Sequence, residues 1–440
     1  MVDEPVKPKH RNFRRNPAVL GHARVHLWNM LVGIVTEYDN GRIGFSYDRD
    51  YIESGISISP RFLPLQPPRT FEFPELRSMD AFFALPGVLA DSLPDTFGNL
   101  IIRSYFEGRG EPDKAMSPVQ RLLYVGNRAM GALEYTPHLQ RKTPQEEQSL
   151  EIKALVESAR KLIEGDTSEA ISEIMRVGGS AGGARPKALI LWNSKKNRVR
   201  SGFASPKMGD EAWMIKFDGV GSANVLDYKA KPFNRIEYTY ALLAKQLGIV
   251  MADVSFIEDG ELFHFMTRRF DRAGQHKHHV HSLGGITHVD YNRPQAYSYD
   301  AWFRLILNMK LGYPALNQAY RRMVFNIVGR NQDDHVKNIS FLMKDRLSEW
   351  ELAPAYDLTF AAGAGYTRSH QMTVNGRADG FTRDQIVEIG RKFDIRHPER
   401  ILDETISAFA GWPALARAWT VPDDDIKTVL EKVRLYLGRP

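Results

Sequence analysis

The sequence predicts an α+β fold in two parts, an α/β N-terminal part with antiparallel sheets and a mostly helical C-terminal part. Three observations predict it. Short apolar and β-branched runs separated by tight turns recur before residue 272. They stand at His26–Thr36 before Asp39-Asn40-Gly41, at Ile43–Tyr47, and at Val254–Ile257 and Leu262–Thr267 around Glu258-Asp259-Gly260. After residue 298 nearly every segment carries helical spacing. Finally, the chain has 440 residues, whereas single cores stop growing near ~250–300 residues, so two halves packed together are expected.

Taken in order, residues 1–24 carry Lys7, Lys9, Arg11, Arg14 and Arg15 with few apolar side chains and read as a flexible basic arm. Residues 25–165 form an N-terminal α/β module. It begins with the hairpin strands, crosses the surface in a proline-rich stretch at 60–75, and continues through helical stretches at 78–140 with a tight turn at Val125-Gly126-Asn127. A charged amphipathic connection spans 140–170. Residues 166–272 form a small lobe with a glycine-rich loop at 178–183 and strands at Ala188–Trp192 and Trp213–Phe217. A helix follows over 235–247, marked by Ile236, Tyr240, Leu243 and Leu247, and then the Asp-Gly hairpin. Residues 273–440 form a helical lobe interrupted near 331–338.

Composition narrows the function. The absence of cysteine excludes disulfides, zinc–thiolate sites and thiol nucleophiles. Net charge is +6 and the sequence pI is about 9.2, which admits an acidic or nucleic-acid partner but is thin for so long a chain. Met1-Val2-Asp3-Glu4-Pro5 does not read as a signal peptide, and no stretch approaches the ~20 apolar residues of a membrane span, so a cytoplasmic location is expected.

Four segments carry chemistry. The run Arg176-Val177-Gly178-Gly179-Ser180-Ala181-Gly182-Gly183-Ala184-Arg185-Pro186-Lys187 lets backbone N–H groups approach phosphate oxygens, though a plain turn has the same composition. No Gly-Lys-Ser/Thr follows, so it is not a Walker loop. Lys216, among apolar strand residues, needs a charge partner, and Glu237 on the following helix can supply one; the alternative is a snorkelling edge lysine. Asn331–Asn338 crowds two carboxylates, a histidine, a lysine and three amides into one loop. Asp333 and Asn338 stand five apart, the spacing at which a kinase Asp orients the attacking hydroxyl and an Asn holds magnesium, with Lys337 placed to neutralise the transferring group. A polar surface turn is the competing reading. Asp357, after a short apolar segment, falls where a second magnesium ligand belongs. Glycine loop, strand lysine, helix glutamate, hinge, Asp…Asn loop and metal aspartate follow one another in the order of a kinase-like fold.

On these residues the chain resembles the HipA-type serine/threonine kinase toxins of bacterial HipBA toxin–antitoxin systems. Ser180–Lys187 is similar to the family's phosphate loop, Arg269-Phe270-Asp271-Arg272 to its nucleotide hinge, and Asp333-Asp334-His335-Val336-Lys337-Asn338 to its D-x-H-x-K-N loop. Pro354-Ala355-Tyr356-Asp357-Leu358 is similar to its metal segment, and Gly41–Tyr51 with Leu93-Pro94-Asp95 to its N-terminal module. The resemblance implies ATP and magnesium, with Asp333 as catalytic base and Asn338 and Asp357 on the metal. It implies an ATP site drawn from Gly182, Gly183, Ala184, Arg185, Pro186, Lys187, Lys216, Arg268, Arg269, Phe270, Asp271, His335, Lys337, Asn338, Tyr356 and Asp357. It further implies autophosphorylation on Ser180, a DNA-binding HipB-type antitoxin, operator DNA bound through the complex, and glutamyl-tRNA synthetase as protein substrate.

Three features depart from the family pattern. Arg185-Pro186 stands where Gln-Glu is common, and Arg268 where a glutamate is common at the hinge. The run His276-Lys277-His278-His279-Val280-His281 lacks ordered zinc-ligand spacing and reads as a solvated hairpin. A non-catalytic corepressor and a small-molecule kinase remain the alternative functions.

Overall fold

The structure, a computed structural model, describes residues 17–94, 98–99, 101–102, 116–139, 148–164, 185–220 and 232–438. Ser180, Gly182, Gly183, Ala184 and residues 1–16 of the basic arm lie outside them.

The N-terminal module is built on a five-stranded antiparallel sheet ordered β4-β3-β2-β1-β5. Its strands are β1 (Val19–Leu27), β2 (Met30–Tyr38), β3 (Ile43–Tyr47), β4 (Thr70–Glu72) and β5 (Leu133–Thr136). Val19–Arg24, expected in the arm, belongs to β1. The strand pattern of His26–Thr36 is broken by a hairpin at Trp28 (φ 49°) and Asn29 (φ 64°), and left-handed backbone at both central positions is what a two-residue hairpin turn requires. Alternate residues Ala23, Val25, Leu27, Val35 and Phe45 bury one face against Leu85, Val88, Leu89 and Leu122.

A second antiparallel sheet is ordered β10-β11-β9-β7-β8-β6. It comprises β6 (Ser149–Leu150), β7 (Lys187–Asn193), β8 (Arg198–Ser201), β9 (Glu211–Lys216), β10 (Val254–Asp259) and β11 (Leu262–Arg268). The amphipathic segment expected as a connection is a helix, Ile152–Glu164, whose Leu155, Val156 and Ala159 pack on this sheet through Ile190, Trp213 and Ile215. Packing therefore groups residues 149–164 with the small lobe rather than with the N-terminal module. The helix Phe233–Gln246 lies between this sheet and the C-terminal lobe, where Tyr240 meets Phe325, Phe409 and Trp412. The C-terminal lobe surrounds the buried helix Gly312–Val328 with Tyr299–Asn308, Arg383–Lys392 and Pro398–Ala418.

The histidine run corrects the sequence reading. His276 and His278 are near the surface, but His279 and His281 are completely buried in the strand His279–Ser282. Among the described residues no group of three or more His, Cys, Asp or Glu could hold an ion. His279 and His281 fasten the two halves together. His279 Nε2 lies 2.9 Å from Ile58 O, and His281 bonds Ser59 and Asp91. Nearby, Asp271 accepts from Gly131 N (2.7 Å), and Gly87 N donates to His288 Nε2 (3.1 Å).

Candidate active site

β9 ends at Lys216, flanked by Lys187 on β7 and Phe265 on β11. Lys216 is thus in the interior of the sheet, and the snorkelling edge lysine is excluded. A buried ammonium must be paired. Its Nζ donates to Glu237 Oε1 at 2.7 Å and to Asp357 Oδ1 at 2.5 Å. Burial disfavours the charge, but Asp357 and Glu237 outweigh it and hold the amine protonated above its usual range. Burial raises Glu237 even beside Lys216, whereas Asp357 stays low because Lys216 and Lys187 overcome its desolvation. The helix is set at this height by Asn234, whose Nδ2 donates to Lys216 O (3.2 Å) and Phe263 O (3.0 Å).

Across the cleft the loop 331–338 is held from below. Asp334 is buried and accepts from Tyr299 OH, His370 Nδ1 and Gln371 N, each at 2.7 Å. Burial opposes its charge, and these donors nevertheless keep it below the usual carboxylate range. Its neighbour Asp333 has 43% of its side chain exposed and His335 Nε2 at 3.7 Å. Burial, then Asp357 and Asp334, push Asp333 up to about 7. Two adjacent acids are therefore held in opposite states, one a buried, fully ionised anchor and the other a partly exposed carboxyl raised toward neutral pH. Asn338 Nδ2 donates to Asp333 O at 2.9 Å, so its Oδ1 is the end left for a cation. Asp357 sits at φ 54°, a left-handed conformation uncommon for a non-glycine residue. The preceding Tyr356 is fixed by Lys337 O (2.8 Å) and Ser340 Oγ (2.6 Å).

Between lobe and loop lies a cleft of about 990 Å³ open to solvent. Met214, Thr267, Phe270, Val280 and Tyr356 line its apolar part, and His335, Lys337, Asn338 and Asp357 its polar part. The expected ATP-binding set does not all converge there. Arg268 and Arg269 border the cleft together with Phe270, although the Arg268 guanidinium is paired with Glu211 and Asp253; Asp271 does not line it, and Arg269 and Asp271 bind each other and tie the hinge to the N-terminal module. Burial opposes the charge on Asp271, but Arg269 and Arg272 hold its carboxyl well below the usual range. The backbone N–H groups of Arg268 and Arg269 are taken by Asp253 O and Ala212 O. Pro186 and Lys187 are buried at the start of β7, while Arg185 is exposed and stacks over Phe233 at 4.3 Å. Sequence reasoning missed Asp91 and Met130, which reach the cleft from the N-terminal module, and Tyr291, whose ring lies 5.1 Å beneath Lys337 Nζ. It also passed over the anchoring role of Asp334, though a second carboxylate beside the first was visible.

Residues 23–136 match the family described as HipA N-terminal domain, and residues 179–412 match that described as HipA-like C-terminal domain. No curated protein matches the chain. Among solved structures, the chain in "Shewanella oneidensis MR-1 Toxin Antitoxin System HipA, HipB and its operator DNA complex" is 17% identical with a TM-score of 0.67, covering 94% of this chain and 96% of that one. The Helicobacter pylori proinflammatory kinase CtkA is 12% identical with a TM-score of 0.33, covering 52% of this chain and 89% of that one. With both family domains matched in order and the larger spanning more than half of its length, this chain belongs to the HipA family.

Proposed function

We propose that the chain is an ATP- and magnesium-dependent serine/threonine protein kinase, the toxin of a toxin–antitoxin pair. One observation carries the reading: Lys216, paired with Glu237, also binds Asp357, which lines one cleft with Asn338, and the Asp333 carboxyl lies within electrostatic reach of both Asp357 and Lys216. An accidental order of motifs would not bring strand lysine, helix glutamate and two distant loops to one point.

In this reading Lys216 holds the nucleotide phosphates while Glu237 keeps its ammonium oriented. Phe270 and Tyr356, with ring centroids 5.7 Å apart, line the adenine end, and the Phe270 N–H follows the two hinge donors already in use. Oxygens of Asn338 and Asp357 suit a hard cation that takes few protein ligands. Magnesium there would neutralise charge on the transferring phosphoryl group. Asp333 accepts the proton of the acceptor hydroxyl, and Lys337 stabilises charge at the transferred group. Ser180, in the glycine-rich run that precedes Lys187 in the sequence, is the proposed site of self-inactivating phosphorylation.

The partner proposals rest on family membership and on the Shewanella protein's place in a complex with HipB and operator DNA. They are a HipB-type antitoxin, operator DNA reached through it, and glutamyl-tRNA synthetase as substrate in the cytoplasm. No helix among the described residues is long and apolar enough to cross a membrane. Radiolabelled ATP with the purified protein, alone and with cell lysate, tests the activity. Label on protein in magnesium, abolished by chelator and by Asp333→Asn, supports it. Label only on a small molecule would favour a small-molecule kinase, and no label at all a non-catalytic corepressor.

A further inference from the structure

We propose that Asp91 of the N-terminal module is a positioning residue for the loop 331–338, so that the module takes part in phosphoryl transfer; this rests on the kinase reading above. Asp91 belongs to neither lobe that forms the cleft, yet it lines it, with 17% of its side chain exposed. Both of its carboxylate oxygens are bonded. Oδ2 accepts from Ser282 N (2.7 Å) and His281 Nδ1 (2.7 Å), and Oδ1 accepts from Ser282 Oγ (2.6 Å). Three charge-assisted bonds across a module boundary are more than packing alone calls for.

What they hold is a short helix, Leu283–Thr287, capped by Ser282, whose Oγ also accepts from Gly285 N at 2.9 Å. This helix is a wedge. On one side it meets Asp91 and Gly87 so closely that a Cβ at Gly285 would strike Asp91 Oδ2 and one at Gly87 would strike Gly285 O. On the other side it touches the catalytic loop. A Cβ at Gly284 would meet Val336 Cγ2 at 3.1 Å, and Leu283 N donates to Ile339 O at 2.8 Å, next to Asn338. A parallel route runs from Ser282 to its ladder partner Ser340, and from Ser340 Oγ to Tyr356 OH, which also holds Lys337 O. Both routes end on residues flanking the proposed metal ligands. Because the wedge packs this closely at Gly87, Gly284 and Gly285, loss of the Asp91 bonds is transmitted as movement of the loop rather than absorbed.

The test uses the full chain. Asp91→Asn keeps the shape and removes the charge. It should lower kcat roughly 10–100-fold, the usual worth of an outer residue that orients a ligand or catalytic group, with KM for ATP moving less than about threefold. Hydrogen exchange without nucleotide should quicken in the peptide 331–343. Ser340→Ala should also lower kcat, and the double variant should fall by less than the product of the two losses, because both cut one path. If Asp91→Asn does not fold, Ser282→Ala carries the same measurements. An unchanged kcat, multiplicative losses, or faster exchange confined to residues 281–287 overturns the inference. Wild-type protein that transfers no phosphate overturns the kinase reading instead, and the exchange comparison still decides whether Asp91 holds the loop.

Discussion

Replacing Asp333 with asparagine should stabilise the fold while sharply lowering the proposed phosphate transfer. The carboxyl is pushed up to about 7, first by burial and then by Asp357 and Asp334, with Lys216 and Lys187 pulling the other way. A carboxyl raised above its unfolded value of 3.8 keeps a proton in the native state that the unfolded chain has released. Its ionisation therefore costs stability progressively as pH rises from ~4 to ~7, and by a constant amount above that. A shift of about three units corresponds to ~4 kcal/mol. Since 43% of the side chain meets solvent, screening reduces this. Roughly 1–2 kcal/mol is the expected remainder. In chelator at pH 8, Asp333→Asn should be more stable by that amount, with Tm higher by roughly 2–8 °C for a cooperative unit of lobe size. The advantage should shrink as pH is lowered and vanish near pH ~4. Denaturant titrations of both proteins across this range, followed by tryptophan fluorescence, measure it. Phosphate transfer by the same variant should fall roughly 10²–10⁴-fold. A variant no more stable than wild type at pH 8, or an advantage independent of pH, refutes the electrostatic account of Asp333.

Three other outcomes are expected. Asp334→Asn should cost about 3–5 kcal/mol, because it breaks a buried charge network with His370, Tyr299 and Gln371; a loss below ~1 kcal/mol in the same titration would show that the loop is anchored elsewhere. Lys216→Met should weaken ATP binding at least about tenfold through loss of a charge-assisted contact, and unchanged affinity by calorimetry would remove Lys216 from the site. His288 is lowered to about 3 chiefly by burial, stacks on Phe62 at 3.9 Å and accepts from Gly87 N, so the native ring stays neutral while the unfolded chain gains a proton. Its contribution is complete above pH ~6.5 and declines as pH falls toward ~3, and His288→Asn should flatten that slope; a variant as acid-sensitive as wild type would place the effect elsewhere.

Where local chemistry is strong, the sequence was enough. The α+β class, the Asp-Gly hairpin of β10 and β11, the helix carrying Glu237 and the pairing of that glutamate with Lys216 all follow from turn residues, periodicity and the cost of an unpaired charge. Asp333 and Asn338 stand out in the sequence because so many polar groups in one loop have no ordinary place in a core, and Asp357 because it follows a short apolar segment downstream of that loop. The first hairpin turn was not legible, since Trp28-Asn29 carries no glycine to mark its left-handed backbone.

Tertiary structure decided what each polar residue faces. Composition makes His279 and His281 solvent residues, but carbonyl and carboxylate partners more than 180 residues away make them buried fasteners. Likewise Asp333 and Asp334 are the same side chain in sequence. One is a raised, half-exposed acid and the other a fully bonded anchor, because only Asp334 meets donors from Tyr299, His370 and Gln371. Asp91 gave no signal by spacing, since its role exists only where the N-terminal module meets the helix Leu283–Thr287. Periodicity and turn chemistry act over a few residues and can be read along the chain. Burial and charge pairing depend on neighbours that only the folded chain supplies.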